Sequence, residues 1–257
     1  MEEVDNKYIE NAINHLSSTI GVKEFVDHQK IISLILSKKI KEAIKEIAGY
    51  LGLPIEVNLS YVPKGYSPNT NDGFRSTHLV KTDWRGRGTG GITAQVSIPA
   101  NLPFYGTSSM INFPISIRLS ENCIENPSTL ITVMAHELSH IVLYSLLHKE
   151  KDNEFYTDIT AMMLGFADIM MVGRKVVKTF IDHEYLSSQT TTQTTTYGYL
   201  SDDNFSFAYG YIKNILSIHK DNKVKLLKKI AELNKTLYKQ KKNSLILRGI
   251  LVILIKI

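Results

Sequence analysis

The stretch that most restricts how this chain can fold is Met134-Ala135-His136-Glu137-Leu138-Ser139-His140. It lies within an apolar stripe of Leu130, Val133, Met134, Ile141 and Leu143, at helical spacing. Asn126-Pro127 opens the segment as an N-cap followed by proline at the first helical position, so a helix is expected from there to about His148. Two histidines four apart on a helix share a face, one turn from each other. Their imidazoles can converge on a single ion at about 2.0–2.1 Å each. Glu137 stands beside the first of them and can reach a metal-bound water. This is the His-Glu-x-x-His arrangement of zinc hydrolases. The alternative is two surface histidines on an ordinary helix.

A catalytic zinc takes three protein ligands and keeps one position open for water. Asn153-Glu154-Phe155-Tyr156-Thr157-Asp158 supplies a carboxylate where a second helix is expected, from near Asn153 past Met171. Asp158 follows one turn further along the same face. Ligating histidines usually donate their other ring N–H to a carboxylate or carbonyl. The sequence therefore predicts Glu154 as third ligand and Asp158 as the partner that orients a ligand imidazole. Asp152 is a rival to Glu154 but falls in a charged loop, and Asp168 lies too far along the second helix.

His-Glu-Leu-Ser-His followed by Asn-Glu-x-x-x-Asp resembles the gluzincin, or thermolysin-like, zinc metallopeptidases over about residues 113–166. The resemblance implies zinc held by His136, His140 and Glu154, with Glu137 as general base. It also implies an edge strand before the motif helix that binds substrate backbone; Ile115–Leu119 would be that strand. The short gap between His140 and Glu154 implies a compact member. The family's transition-state-stabilising His or Tyr has no matching motif here; Tyr199, His183 and Tyr209 are the candidates.

Elsewhere the first fifty residues read as helical, with Ile31, Ile32, Leu34, Ile35, Ile40, Ala43, Ile44 and Ile47 at mixed three- and four-residue spacings until Gly52 and Pro54. Strands are expected at 55–59, 78–84, 92–98 and 113–119, and a loop at 63–76. Arg85-Gly86-Arg87-Gly88-Thr89-Gly90-Gly91 lacks the Gly-Lys-Ser/Thr ending of a P-loop and reads as a hairpin turn. The predicted class is α+β: N-terminal helices, a small mixed or antiparallel sheet with an edge strand, the motif helix, the second ligand helix, then C-terminal helices. The expected organisation is a zinc domain over 1–182, a flexible Thr-rich loop over 183–200 and a helical, lysine-rich region with an apolar tail over 201–257.

A single cysteine, Cys123, excludes an internal disulfide and a thiolate cluster within one chain. It reads as a small apolar residue near a strand end. His15, His28, His78, His148 and His219 have no partner at ligand spacing. MEEVDNKYIE shows neither the basic nor the apolar region of a secretory signal, so a cytoplasmic location is expected. The net charge of +5 is uneven, with lysines crowded between Lys213 and Lys242. That crowding suits a solvated helix face or an anionic membrane surface, and nucleic acid is not the expected partner. The apolar end, Leu245 to Ile257, is shorter than the roughly 20 residues of a membrane span and is broken by Arg248. Packing on the domain, a membrane-surface anchor and an oligomer contact all remain open for it. Two functions compete: hydrolysis of protein or peptide substrates by zinc-activated water, or a catalytically silent zinc domain that binds a partner peptide or membrane. Glu137 favours the first, because a structural zinc site has no use for a base.

Overall fold

The structure, a computed structural model, describes residues 4–63, 66, 81–83, 93–184 and 187–254; side chains are described except at 81–83, 122, 180–184, 187–193, 231 and 233–254. Most of the 63–76 segment, the Arg85–Gly91 stretch and Trp84 lie outside the described residues. The chain divides into two compact units, Met1–Ile212 and Lys213–Ile257.

The first unit is α+β. Helix α1 (Asn6–Ile20) starts where the Asp5 side chain accepts the Tyr8 N–H at 2.7 Å, and it buries Ile9, Ala12, Ile13 and Leu16 along one stripe. Helices α2 (Gln29–Leu36) and α3 (Ile40–Tyr50) bury Ile31, Ile35, Ile40, Ala43, Ile44 and Ile47, whereas Ile32 and Leu34 of the same periodic set are only half-buried. Strand β1 (Glu56–Val62) follows. Strands β2 (Lys81–Asp83) and β3 (Ala94–Val96) come next, then β4 (Pro114–Ser120).

One sheet has the order β1-β4-β3, with β1 parallel and β3 antiparallel to β4. This mixed sheet corrects the expectation that Ile115–Leu119 is an edge strand. Those residues belong to the central strand, whose Ile115, Ile117 and Leu119 are fully buried. Among the described strands, the antiparallel edge of this sheet is β3, which packs against the motif helix.

Helix α4 (Pro127–Ser145) carries the motif. The Asn126 side chain accepts the Thr129 N–H at 3.2 Å, and Pro127 takes the first helical position. Nearly every residue of α4 is buried, because α2, α3, β3 and the later helical segment Ala167–Gly173 surround it. Polar residues on such a helix need built partners.

Helix α5 (Glu154–Ala161) begins at Asn153 and runs through a π-helical turn, Met162–Phe166, into α6 (Ala167–Gly173). Gly165 has φ +105°, and a Cβ there would lie 2.7 Å from the Glu24 carbonyl. The loop after α1 occupies that space, its Lys23 and Val26 N–H groups bonding to the carbonyls of Met163 and Gly165. The expected single helix is therefore broken where an outside strand of backbone takes over its hydrogen bonds. The run Glu154–Gly173 is long and apolar enough to cross a membrane, but most of it is buried inside the first unit.

Residues 187–196, expected as a flexible loop, form strand β6 (Ser187–Thr196) instead. It pairs antiparallel with β5 (Lys175–Glu184) and, on its other side, with β2. Threonine is β-branched, and a pleated strand accommodates it well even without an apolar face. Helix α7 (Asp202–Leu254) completes the fold, its start capped where Ser201 Oγ accepts the Asn204 N–H at 3.2 Å.

Candidate metal centre

Helix α4 presents His136 and His140 to the start of α5. Their rings lie edge to face, with centroids 5.1 Å apart. Glu154 Oε2 is 3.1 Å from His136 Nε2 and 3.3 Å from His140 Nε2. The three ligand atoms all fall within 4.8 Å of one another. Ligands 2.0–2.1 Å from a tetrahedral ion stand about 3.3–3.4 Å apart, so the two Glu154 separations match edges of such a site. The set is two nitrogens and one carboxylate oxygen, and it fits a divalent cation.

The remaining ring nitrogens are also placed. His136 Nδ1 lies 2.7 Å from Asp158 Oδ1, so its N–H donates to that carboxylate and leaves Nε2 with a lone pair for the ion. His140 Nδ1 is 3.3 Å from Thr157 Oγ1, and that hydroxyl donates onward to the Asn153 carbonyl at 3.1 Å. Glu154, Thr157 and Asp158 thus act from one face of the first turns of α5, at the i, i+3 and i+4 spacing that brings helical side chains together. Asn153 fixes where this turn begins. Its Oδ1 accepts the N–H groups of Phe155 and Tyr156, and its Nδ2 donates to Tyr8 Oη of α1 at 2.8 Å.

The electrostatics suit a cation. Burial alone would favour a neutral His136, but Asp158, Glu154 and Glu137 outweigh it and raise the ring to about 10. Burial works against ionisation of Glu154 and Asp158, yet the imidazoles hold both carboxyl groups below the usual carboxylate range. The centre demands positive charge, whether from a proton or a metal ion. Glu137 is fully buried, and its charge acts on His136, Tyr199 and Cys123.

The spacing of the motif does not show the turn Gly198-Tyr199-Leu200. Asp158 Oδ2 accepts the N–H of Tyr199 at 2.6 Å and that of Leu200 at 3.1 Å. The Tyr199 ring stacks on His136, with centroids 5.5 Å apart at 23°. Arg174, at the end of α6, fastens the far side of the turn by donating to the carbonyls of Leu200 and Ser201. A Gly-Tyr pair after the polar strand was the only sequence trace of this turn, and it cannot reveal that the backbone N–H groups are what matters.

Other expected residues fall elsewhere. Tyr209 stacks on Phe25 and donates to Asp168 Oδ1 at 2.7 Å, so neither joins the centre. Asp152 accepts from Tyr144 Oη. His183 lies in β5, and its side chain is outside the described residues. Cys123 is buried, which pushes its thiol up and leaves it unreactive. His148 Nε2 bonds to His15 Nδ1 at 3.2 Å, so these two histidines are partnered with each other.

A cavity of about 550 Å³ opens beside Glu154, lined by residues including Tyr8, Lys149, Asn153, Phe155 and Tyr199. The Glu154 side chain is 33% exposed, against 2% for His136 and 5% for His140, so access to the centre is from the Glu154 side. Comparisons with protein-family models, with curated proteins and with solved structures found no match for this chain.

Proposed function

We propose that the protein is a zinc-dependent hydrolase of peptide bonds, a compact enzyme of gluzincin type. The observation that carries this reading is the convergence of His136, His140 and Glu154, with Glu137 next to the first ligand on the same helix. His136 Nε2, His140 Nε2 and Glu154 Oε2 would hold the zinc. When bound, zinc lowers the pKa of a water and polarises a carbonyl.

The protein's own groups do the rest. Glu137 accepts the proton of the attacking water and delivers it to the leaving amine. A buried carboxylate suits that task, since its basicity is not damped by bulk solvent. Asp158 and Thr157 hold the ligand rings in the tautomers that present Nε2. Tyr199 is the donor for the developing oxyanion: its ring stacks against a ligand, whereas Tyr209 is engaged with Asp168. Burial, then Glu154 and Glu137, push its phenol up, so it stays protonated and able to donate. The exposed side of Glu154 and the adjoining cavity admit substrate, and β3, rather than β4, offers the strand edge along which a peptide backbone can align.

Proteome-wide mapping of new N-termini, with the parent protein and with Glu137→Gln, tests this reading. Termini that appear with the parent and not with the variant support it. Identical sets from the two proteins would reject it.

A further inference from the structure

The second unit, Lys213–Ile257, is helical to Leu254. It carries eleven lysines and Arg248 against Asp221 and Glu232, a net charge of +10, which leaves −5 on the rest of a chain whose total is +5. The three residues that converge as candidate ligands, His136, His140 and Glu154, all belong to the first unit.

On a helix of 3.6 residues per turn, Leu226, Leu227 and Ile230 share one stripe, Lys225 and Lys228 fall on the opposite side, and Lys229 flanks the stripe. The three apolar residues are 58%, 56% and 43% exposed. In the sequence the same spacing continues at Leu233 and Leu237 and then meets the apolar run from Leu245. Single exposed leucines are ordinary, but a stripe of them on a basic helix is not.

We propose that this unit docks on an anionic lipid bilayer, with Leu226, Leu227 and Ile230 entering the boundary between head groups and acyl chains. A basic polar face opposite an apolar stripe, at low net hydrophobicity, is the composition of a helix that lies in that boundary. Charge decides against two other occupants. A second copy of the helix would bring another +10 alongside the first, and repulsion would oppose burial of the stripe. A nucleic acid would neutralise the lysines but would leave the exposed leucines in water. An anionic bilayer satisfies both faces at once, and each lysine near its surface adds about fivefold to the affinity.

Co-sedimentation of the full chain with phosphatidylcholine vesicles, with and without phosphatidylglycerol, is the test. Binding is expected to the anionic vesicles only and should weaken as salt rises. K225Q/K228Q/K229Q should weaken it on the order of a hundredfold. L226Q/L227Q/I230Q should weaken it by at least about tenfold, from lost apolar burial. Metal content and melting temperature of each variant, compared with the parent, report whether the first unit remains intact. Equal binding to neutral vesicles overturns the proposal, as does indifference to the lysine variant. Self-association or nucleic-acid binding by the free chain, with no vesicle binding, also overturns it.

Discussion

Asp158 and Tyr199 form a closed unit around His136: one carboxylate oxygen of Asp158 takes the His136 Nδ1 proton, the other takes the Tyr199 N–H, and the Tyr199 ring stacks on the same imidazole. The turn holds the carboxylate, and the carboxylate holds the ligand. Gly198 makes this approach possible. Its φ is +95°, and a Cβ there would stand 3.2 Å from Asp158 Oδ2.

Gly198→Ala should therefore disturb Asp158 without touching a ligand. Zinc affinity should fall about tenfold, at the low end of the cost of losing an outer-shell partner. Tyr199→Phe keeps the ring and the backbone N–H, so its zinc affinity should match the parent. Its kcat should fall by about 10²–10³ if the hydroxyl stabilises the oxyanion. Chelator competition and steady-state kinetics separate the two effects. Parental zinc affinity in Gly198→Ala would show that the turn does not position Asp158.

Glu154→Ala removes a ligand and should lose most of the zinc. Asp158→Ala should retain it with affinity down by about 10–100-fold. Metal analysis after dialysis against graded chelator distinguishes them. If Glu154→Ala held zinc like the parent while Asp158→Ala lost it, the assignment of third ligand would be wrong.

Much of this centre is legible in the sequence because it is local. Asn126-Pro127 starts α4, Asn153 starts α5, and helical spacing places His136, His140, Glu154 and Asp158 within each helix. The α+β class follows from the order of periodic segments. What the sequence hides depends on distant pairing. The Thr-rich run is polar throughout, so no alternation marks it, and only its pairing with β5 and β2 makes it a strand. Ile115–Leu119 reads as a half-buried strand, whereas its central place depends on β1 and β3 flanking it. The π-turn at Gly165 depends on backbone from residues 23–26.

His148 supplies a pH prediction away from the ligands. Its Nδ1 accepts the Glu150 N–H at 3.1 Å, so its Nε2–H donates to His15 Nδ1. A second proton would have to displace the Glu150 bond. Burial first, and then His15, lower its pKa below the ordinary 6.5. The unfolded chain then binds more protons between the lowered value and 6.5, so this contribution to stability is complete above 6.5 and is lost as pH falls below it. Denaturant midpoints from about pH 7.5 to pH 5.5 should drop more steeply for the parent than for His148→Gln. Parallel profiles would remove His148 as a source of the slope.

Glu137→Gln is the most direct test of the proposed chemistry, since it removes the proton acceptor and leaves every ligand in place. The measurement is the rate of peptide cleavage by parent and variant, using a substrate found by N-terminal mapping and with zinc content matched by metal analysis. The predicted result is equal zinc, equal melting temperature and a rate lower by about 10²–10⁴-fold in the variant. Equal cleavage rates at matched zinc would contradict the assignment of Glu137 as the base and, with it, the proposed mechanism.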